Sequence, residues 1–98
     1  MAEIRWTEEA VNWLKEIHDY IAQDSPSAAA KVISGIYENV QLLKSFSELG
    51  HKYKSEPEGD IRILLYGHYR IAYLIKEKDI IEILGVFHGA LDIDRYLA

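Results

Sequence analysis

Two arginines and one histidine stand where the second half of the chain is otherwise apolar. Arg62 and Arg70 interrupt the runs "IRILLY" and "YRIAYLI", and His88 ends "ILGVFH" just before Gly89. A guanidinium keeps its charge on burial, so each arginine must reach solvent, an acid or a partner. An imidazole titrates near neutrality and can move a proton once a neighbour orients it. Asp92, four residues on, is the nearest candidate if the chain turns helical there, and Arg95 lies one turn further. Plainer roles stay open: each arginine as a solvated or salt-bridged strand residue, and His88 as an edge residue bonded to a backbone carbonyl. Whether the arginines act together depends on the turn between them. A connection of two or four residues around Gly67-His68 puts Arg70 opposite Leu65 and away from Arg62, whereas three or five residues bring both to one face. Strand alternation places His88 on the side of Ile80, Glu82, Leu84 and Val86.

Other chemistries find little support. His18 falls on a helix and His51 and His68 in expected loops, with no two at metal-ligand spacing beside a carboxylate, so no metal site is expected. The chain has no cysteine, no Walker sequence, no G-x-G-x-x-G and no G-x-S-x-G, and no cofactor is expected. A net charge of -5 suits poorly a protein that grips nucleic acid over a broad surface. The charge is uneven: residues 1 to 50 hold 8 acids against 4 Lys or Arg, and residues 51 to 98 hold 8 against 7. From Ile61 to Ile75 there are Arg62, His68 and Arg70 and no acid, a local positive patch on an acidic molecule. No leader pattern or apolar run of membrane-spanning length is present, which with the missing cysteines leads us to expect a cytoplasmic protein.

Elements that could position these residues follow from periodicity. At 98 residues and 49% hydrophobic, residues 1–98 are expected to form one domain. Glu3 to Trp6 alternate as a short strand would; Thr7 then reads as a helix N-cap, with Glu8 and Glu9 favourably placed at the positive helix end. Ala10, Trp13, Leu14, Ile17, Tyr20 and Ile21 make one apolar stripe over a helix from about 8 to 22. Ser25-Pro26 caps a second helix, whose stripe runs from Ala29 to Leu43 and ends near Lys44. The pair is a helical hairpin, and Trp13 and Tyr20, seven apart, serve either the core or a partner surface. Ser45 to Asp60 reads as a loop with a short extended piece at His51 to Lys54. Ile61–Tyr66, Tyr69–Lys76 and Ile80–Phe87 then form an antiparallel meander, and Asp92 to Leu97 a last helical turn. Helices followed by strands predict an α+β fold of two layers, the N-terminal hairpin packed on one face of a C-terminal antiparallel sheet.

This order, with Ser25-Pro26 at the hairpin turn, Ala28-Ala29 after it, and then "DIRILLYGHYRIAYLI" and "IIEILGVFHGALDIDRYL", resembles the RelE/ParE toxin superfamily of type II toxin–antitoxin modules over essentially the whole chain. Its most distinctive parts are Tyr69-Arg70-Ile71-x-Tyr73 and the closing His88. What the resemblance implies differs by branch. RelE-like members are metal-free, ribosome-dependent mRNA endonucleases that stabilise a phosphorane with basic side chains, which would make Arg62 and Arg70 phosphate-stabilising candidates and His88 an acid or base. ParE-like members, also met as plasmid stabilisation proteins, inhibit DNA gyrase and arrest growth. Gly89-Ala90-Leu91 stands where nuclease members often carry cations, and "HGALDIDRYL" resembles the ParE-like ending. The resemblance therefore implies a gyrase inhibitor acting by protein–protein contact, paired in a hetero-oligomer with a cognate antitoxin across the helical hairpin and sheet edge. Trp13, Tyr20, Arg62, Tyr69, Arg70, Tyr73 and Arg95 are the expected partner-binding residues. The ribosome and mRNA are the alternative target, and a degenerate member that only binds antitoxin is a third reading.

Overall fold

The computed structural model describes residues 1–77, 79–89 and 91–97. Strand β1 (Glu3–Trp6) leads into helices α1 (Glu8–Ala22) and α2 (Pro26–Gln41), and a 3₁₀ turn covers Leu42–Lys44. Strands β2 (His51–Glu56), β3 (Gly59–Tyr66), β4 (Tyr69–Lys76) and β5 (Ile80–His88) follow, then the short helix α3 (Asp94–Leu97). The expected caps are in place, since Thr7 Oγ1 accepts from Ala10 N and Ser25 Oγ from Ala28 N, with Pro26 in the first turn of α2. The meander has one strand more than expected, because the extended piece after Gly50 runs on to Glu56 and pairs antiparallel with β3. β1 joins at the far side, parallel to β5, giving the order β1-β5-β4-β3-β2.

One face of this sheet lies beneath the helices. Ile71 and Tyr73 of β4 and Ile81, Ile83 and Val86 of β5 have 0% exposure there and pack with Ala10, Ile36, Val40 and Leu43. Each fully buried aliphatic side chain contributes about 1.5–3 kcal/mol of transfer free energy, so this seam is the main source of stability. The opposite face is partly covered as well: Ile63, Ala72 and Phe87 pack with Ile93, Leu91 and Leu97 from the C-terminal segment. The aromatic ring of Trp13 links the two faces where β1 has ended, edge-on to Phe87 at 4.9 Å and to Tyr96 at 5.2 Å between centroids.

Thr7 ties the helical layer to the sheet. Its hydroxyl donates to Ile83 O at 2.7 Å and its N–H reaches the same carbonyl at 3.2 Å, while the hydroxyl oxygen caps α1. A single side chain thus sets where α1 begins and on which strand it rests. Thr7→Val, which keeps the shape and loses both side-chain bonds, should cost about 1–2 kcal/mol. A denaturant midpoint lowered with an unchanged m-value would show it.

Candidate functional site

The turn between β3 and β4 has two central residues, Gly67 and His68. Gly67 has φ +56° while His68 keeps a negative φ, the pattern of a type II′ turn that matches strand twist. Arg70 therefore pairs with Leu65 and Arg62 with Tyr73, and the two arginines point to opposite faces. His88 departs from simple alternation. Gly85 pairs with Ala72 and Ile83 with Tyr73, so Leu84 is an extra residue, and this bulge reverses the parity of β5 beyond it. His88 consequently shares its face with Val86, Ile83 and Ile81, not with Ile80 and Glu82 as expected. It pairs with Tyr69 on the helical side of the sheet.

These three side chains do not converge. Arg62 and His88 are two strands apart, about 10 Å across the sheet, and about 13 Å apart along it. Arg70 lies on the other face. No reacting atom can sit within bonding reach of all three. Both arginines instead clamp backbone carbonyls. Arg62 Nε donates to Gly50 O at 2.6 Å and Nη2 to Glu48 O at 3.3 Å. Arg70 Nη2 donates to Gly89 O at 2.6 Å and Leu91 O at 3.3 Å, holding the turn that leaves β5. Asp92, considered as an orienting group for His88, accepts from Asp94 N at 3.3 Å and so shapes the entry to α3. The His88 ring stacks near His68, 6.3 Å between centroids, and meets Tyr69 edge-on at 5.7 Å.

Tyr73, expected at a partner surface, is fully buried. Its hydroxyl donates to Ser47 O at 2.8 Å and accepts from Gly50 N at 2.9 Å. Together with Arg62 it fastens the loop from Ser47 to Gly50 onto the sheet. Gly50 is required in that loop, because a Cβ would lie 2.6 Å from Ile63 O and 2.9 Å from the Tyr73 ring. Burial raises the phenol above its ordinary value of about 10, opposed by the Gly50 hydrogen bond and the Arg62 charge.

What the fold does bring together is an aromatic groove. Trp13, Ile17 and Tyr20 of α1 face Tyr69, Val86 and His88 across a space of 550 Å³, with Glu16 on its lip. Three of the expected partner residues, Trp13, Tyr20 and Tyr69, meet here, and Tyr20 is 76% exposed. Arg95 lies exposed on α3. The extended piece expected at His51 to Lys54 is an edge strand of the sheet, and its Lys52 and Lys54 were not among the expected site residues. Lys52 pairs across the strands with Arg62, and alternating lysines at 52 and 54 are the signal that marks an edge strand. Lys52 faces Asp60 at 3.8 Å, and Lys54 faces Glu56 at 3.1 Å and donates to Leu97 O at 2.5 Å. Among the described residues no group of three or more His, Cys, Asp or Glu is placed to hold a metal ion, and no helix is long and apolar enough to cross a membrane.

Tyr73→Phe keeps the ring and leaves Ser47 O and Gly50 N without their partner, at a cost of about 1–3 kcal/mol. The raised pKa also has a sign. The folded state holds the phenolic proton more tightly than the unfolded chain, so this contribution is complete below about pH 10 and is lost as pH rises beyond it. The stability gap between wild type and Tyr73→Phe should therefore narrow above pH 10 in chemical denaturation.

Comparison with known proteins agrees with this architecture. The family model for the ParE toxin of type II toxin–antitoxin systems matches residues 4–93. A protein of Sinorhizobium fredii named "Putative toxin Y4kP" is 35% identical over 86 residues, covering 88% of this chain and 86% of that protein. The solved chromosomal ParDE system from P. aeruginosa superposes with a TM-score of 0.71 at 27% identity, over 90% of this chain and 96% of that one. RelE–RelB from Pyrococcus horikoshii shares the fold at a TM-score of 0.64 and 19% identity, covering 91% of this chain and 96% of that one. The chain belongs to the ParE toxin family of type II toxin–antitoxin systems.

Proposed function

We propose that this toxin blocks DNA gyrase in the cytoplasm by protein–protein contact and that a cognate antitoxin neutralises it. The observation that carries this reading is how the cationic side chains are used. Arg62 and Arg70 are spent on backbone carbonyls of opposite faces, and Lys52 and Lys54 face acids. A phosphorane needs preorganised cations aimed at one point, and these four are aimed at four. The aromatic groove, by contrast, is lined by Trp13, Tyr20 and Tyr69, residue types that dominate protein–protein hot spots. The solved relatives support an antitoxin partner in the same way, since the Pyrococcus horikoshii structure is a RelE–RelB complex.

The antitoxin docks on the helical hairpin and the adjoining end of the sheet, where α1 leaves the aromatic groove open. The rival reading, a ribosome-dependent mRNA endonuclease, draws on the neighbouring Lys52 and Arg62. Purified protein assayed for both activities separates them. The expected result is lost gyrase supercoiling with accumulated cleaved DNA, while translated message stays intact. Message cut on the ribosome, and protected by Arg70→Ala or His88→Ala, would reverse the assignment. Unimpaired growth of bacteria expressing the soluble chain alone would leave antitoxin binding as its one remaining role.

A further inference from the structure

Trp13 separates two sockets. On one side is the 550 Å³ groove with Glu16 on its lip. On the other is a space of 390 Å³ floored by Leu84, Phe87 and Tyr96, with Glu9 on its lip. Glu9, Trp13, Glu16 and Tyr20 follow one another at spacings of four, three and four, so they form one stripe along α1. The two carboxylates are seven residues apart, about 10.5 Å along the helix. Both are exposed, and among the described residues neither forms an ion pair. α1 as a whole carries Glu8, Glu9, Glu16 and Asp19 against Lys15 alone. Each socket thus combines an apolar floor, an aromatic wall shared through Trp13, and one carboxylate without an ion pair among the described residues.

We infer that this double socket receives a basic amphipathic helix of the antitoxin, with Lys or Arg two turns apart against Glu9 and Glu16 and apolar side chains straddling Trp13. The inference rests on the antitoxin reading above and specifies the chemistry of the segment that binds here. A helix laid along α1 repeats the 10.5 Å spacing at positions i and i+7, and its i+3 and i+4 side chains fall between, over the indole. An acidic segment would meet Glu9 and Glu16 at the two lips and be repelled. Exposed charge pairs add modest affinity each, but they raise the association rate and make binding depend on salt.

Titration calorimetry and stopped-flow association of the full chain with its purified cognate antitoxin test this. Glu9→Gln/Glu16→Gln should weaken binding about tenfold at low ionic strength, mostly through slower association, and flatten the dependence on salt. Glu16→Lys should weaken it further, while both variants keep a cooperative thermal transition, the double variant's midpoint lowered by no more than the few degrees that the lost first-turn charge of Glu9 costs α1. Wild-type affinity and an unchanged salt slope in the double glutamine variant would overturn the inference while leaving the antitoxin reading intact. A wild-type chain that forms no complex with the antitoxin would overturn both. A concentration-dependent dimer of the chain alone, abolished by the same variant in sedimentation, would give the sockets to a second copy.

Discussion

The two-residue turn at Gly67-His68 decides the character of both faces of the sheet. With two central residues, every side chain of β4 is assigned to a face by its pairing with β3: Tyr69, Ile71 and Tyr73 inward under the helices, Arg70 and Ala72 toward the C-terminal segment. One residue more would exchange these sets and bury a guanidinium beneath α1. Gly67 makes the short turn possible, since its positive φ costs a glycine nothing. From that single constraint follow the burial of the Tyr73 ring, the reach of Arg70 to the turn after β5, and the separation of the two arginines.

The polar groups placed in or beside the core each close a loop that would otherwise carry unpaired backbone. Tyr73 and Arg62 satisfy the carbonyls of Ser47, Glu48 and Gly50 and the N–H of Gly50, and Arg70 satisfies the carbonyls of Gly89 and Leu91. Charged donors to carbonyls are worth more than neutral ones, and their removal leaves the acceptor stranded. Such placement makes the basic side chains part of the scaffold. Here they are held by the chain itself.

The helical layer covers the sheet incompletely. β1 ends at Trp6, and beyond it the edge of β5 is shielded by Trp13, whose ring reaches Phe87 and Tyr96 on the far face. An indole used in this way leaves a hollow on either side, with aromatic walls and the carboxylates of α1 at the rim. The acidic first half of the chain is thus concentrated beside its most apolar recesses, a combination suited to binding a protein segment.

Periodicity in the sequence was enough for the helical hairpin, its Thr7 and Ser25 caps, the strands from β3 to β5 and the α+β class, because local spacing and capping are properties of neighbouring residues. It even posed the arginine question correctly, as a matter of turn length. What the sequence alone left undecided depends on pairs distant along the chain. The extended piece at His51 to Lys54 gave no sign of its pairing with β3 or of its run to Glu56, and the bulge at Leu84 moved His88 to the other face. The burial of Tyr73 awaited a loop from Ser47 to Gly50, and the parallel pairing of β1 with β5 joins residues nearly eighty positions apart. Composition and period carry no register across such separations; only the packed sheet, where one face must be apolar and each buried carbonyl must find a donor, selects it.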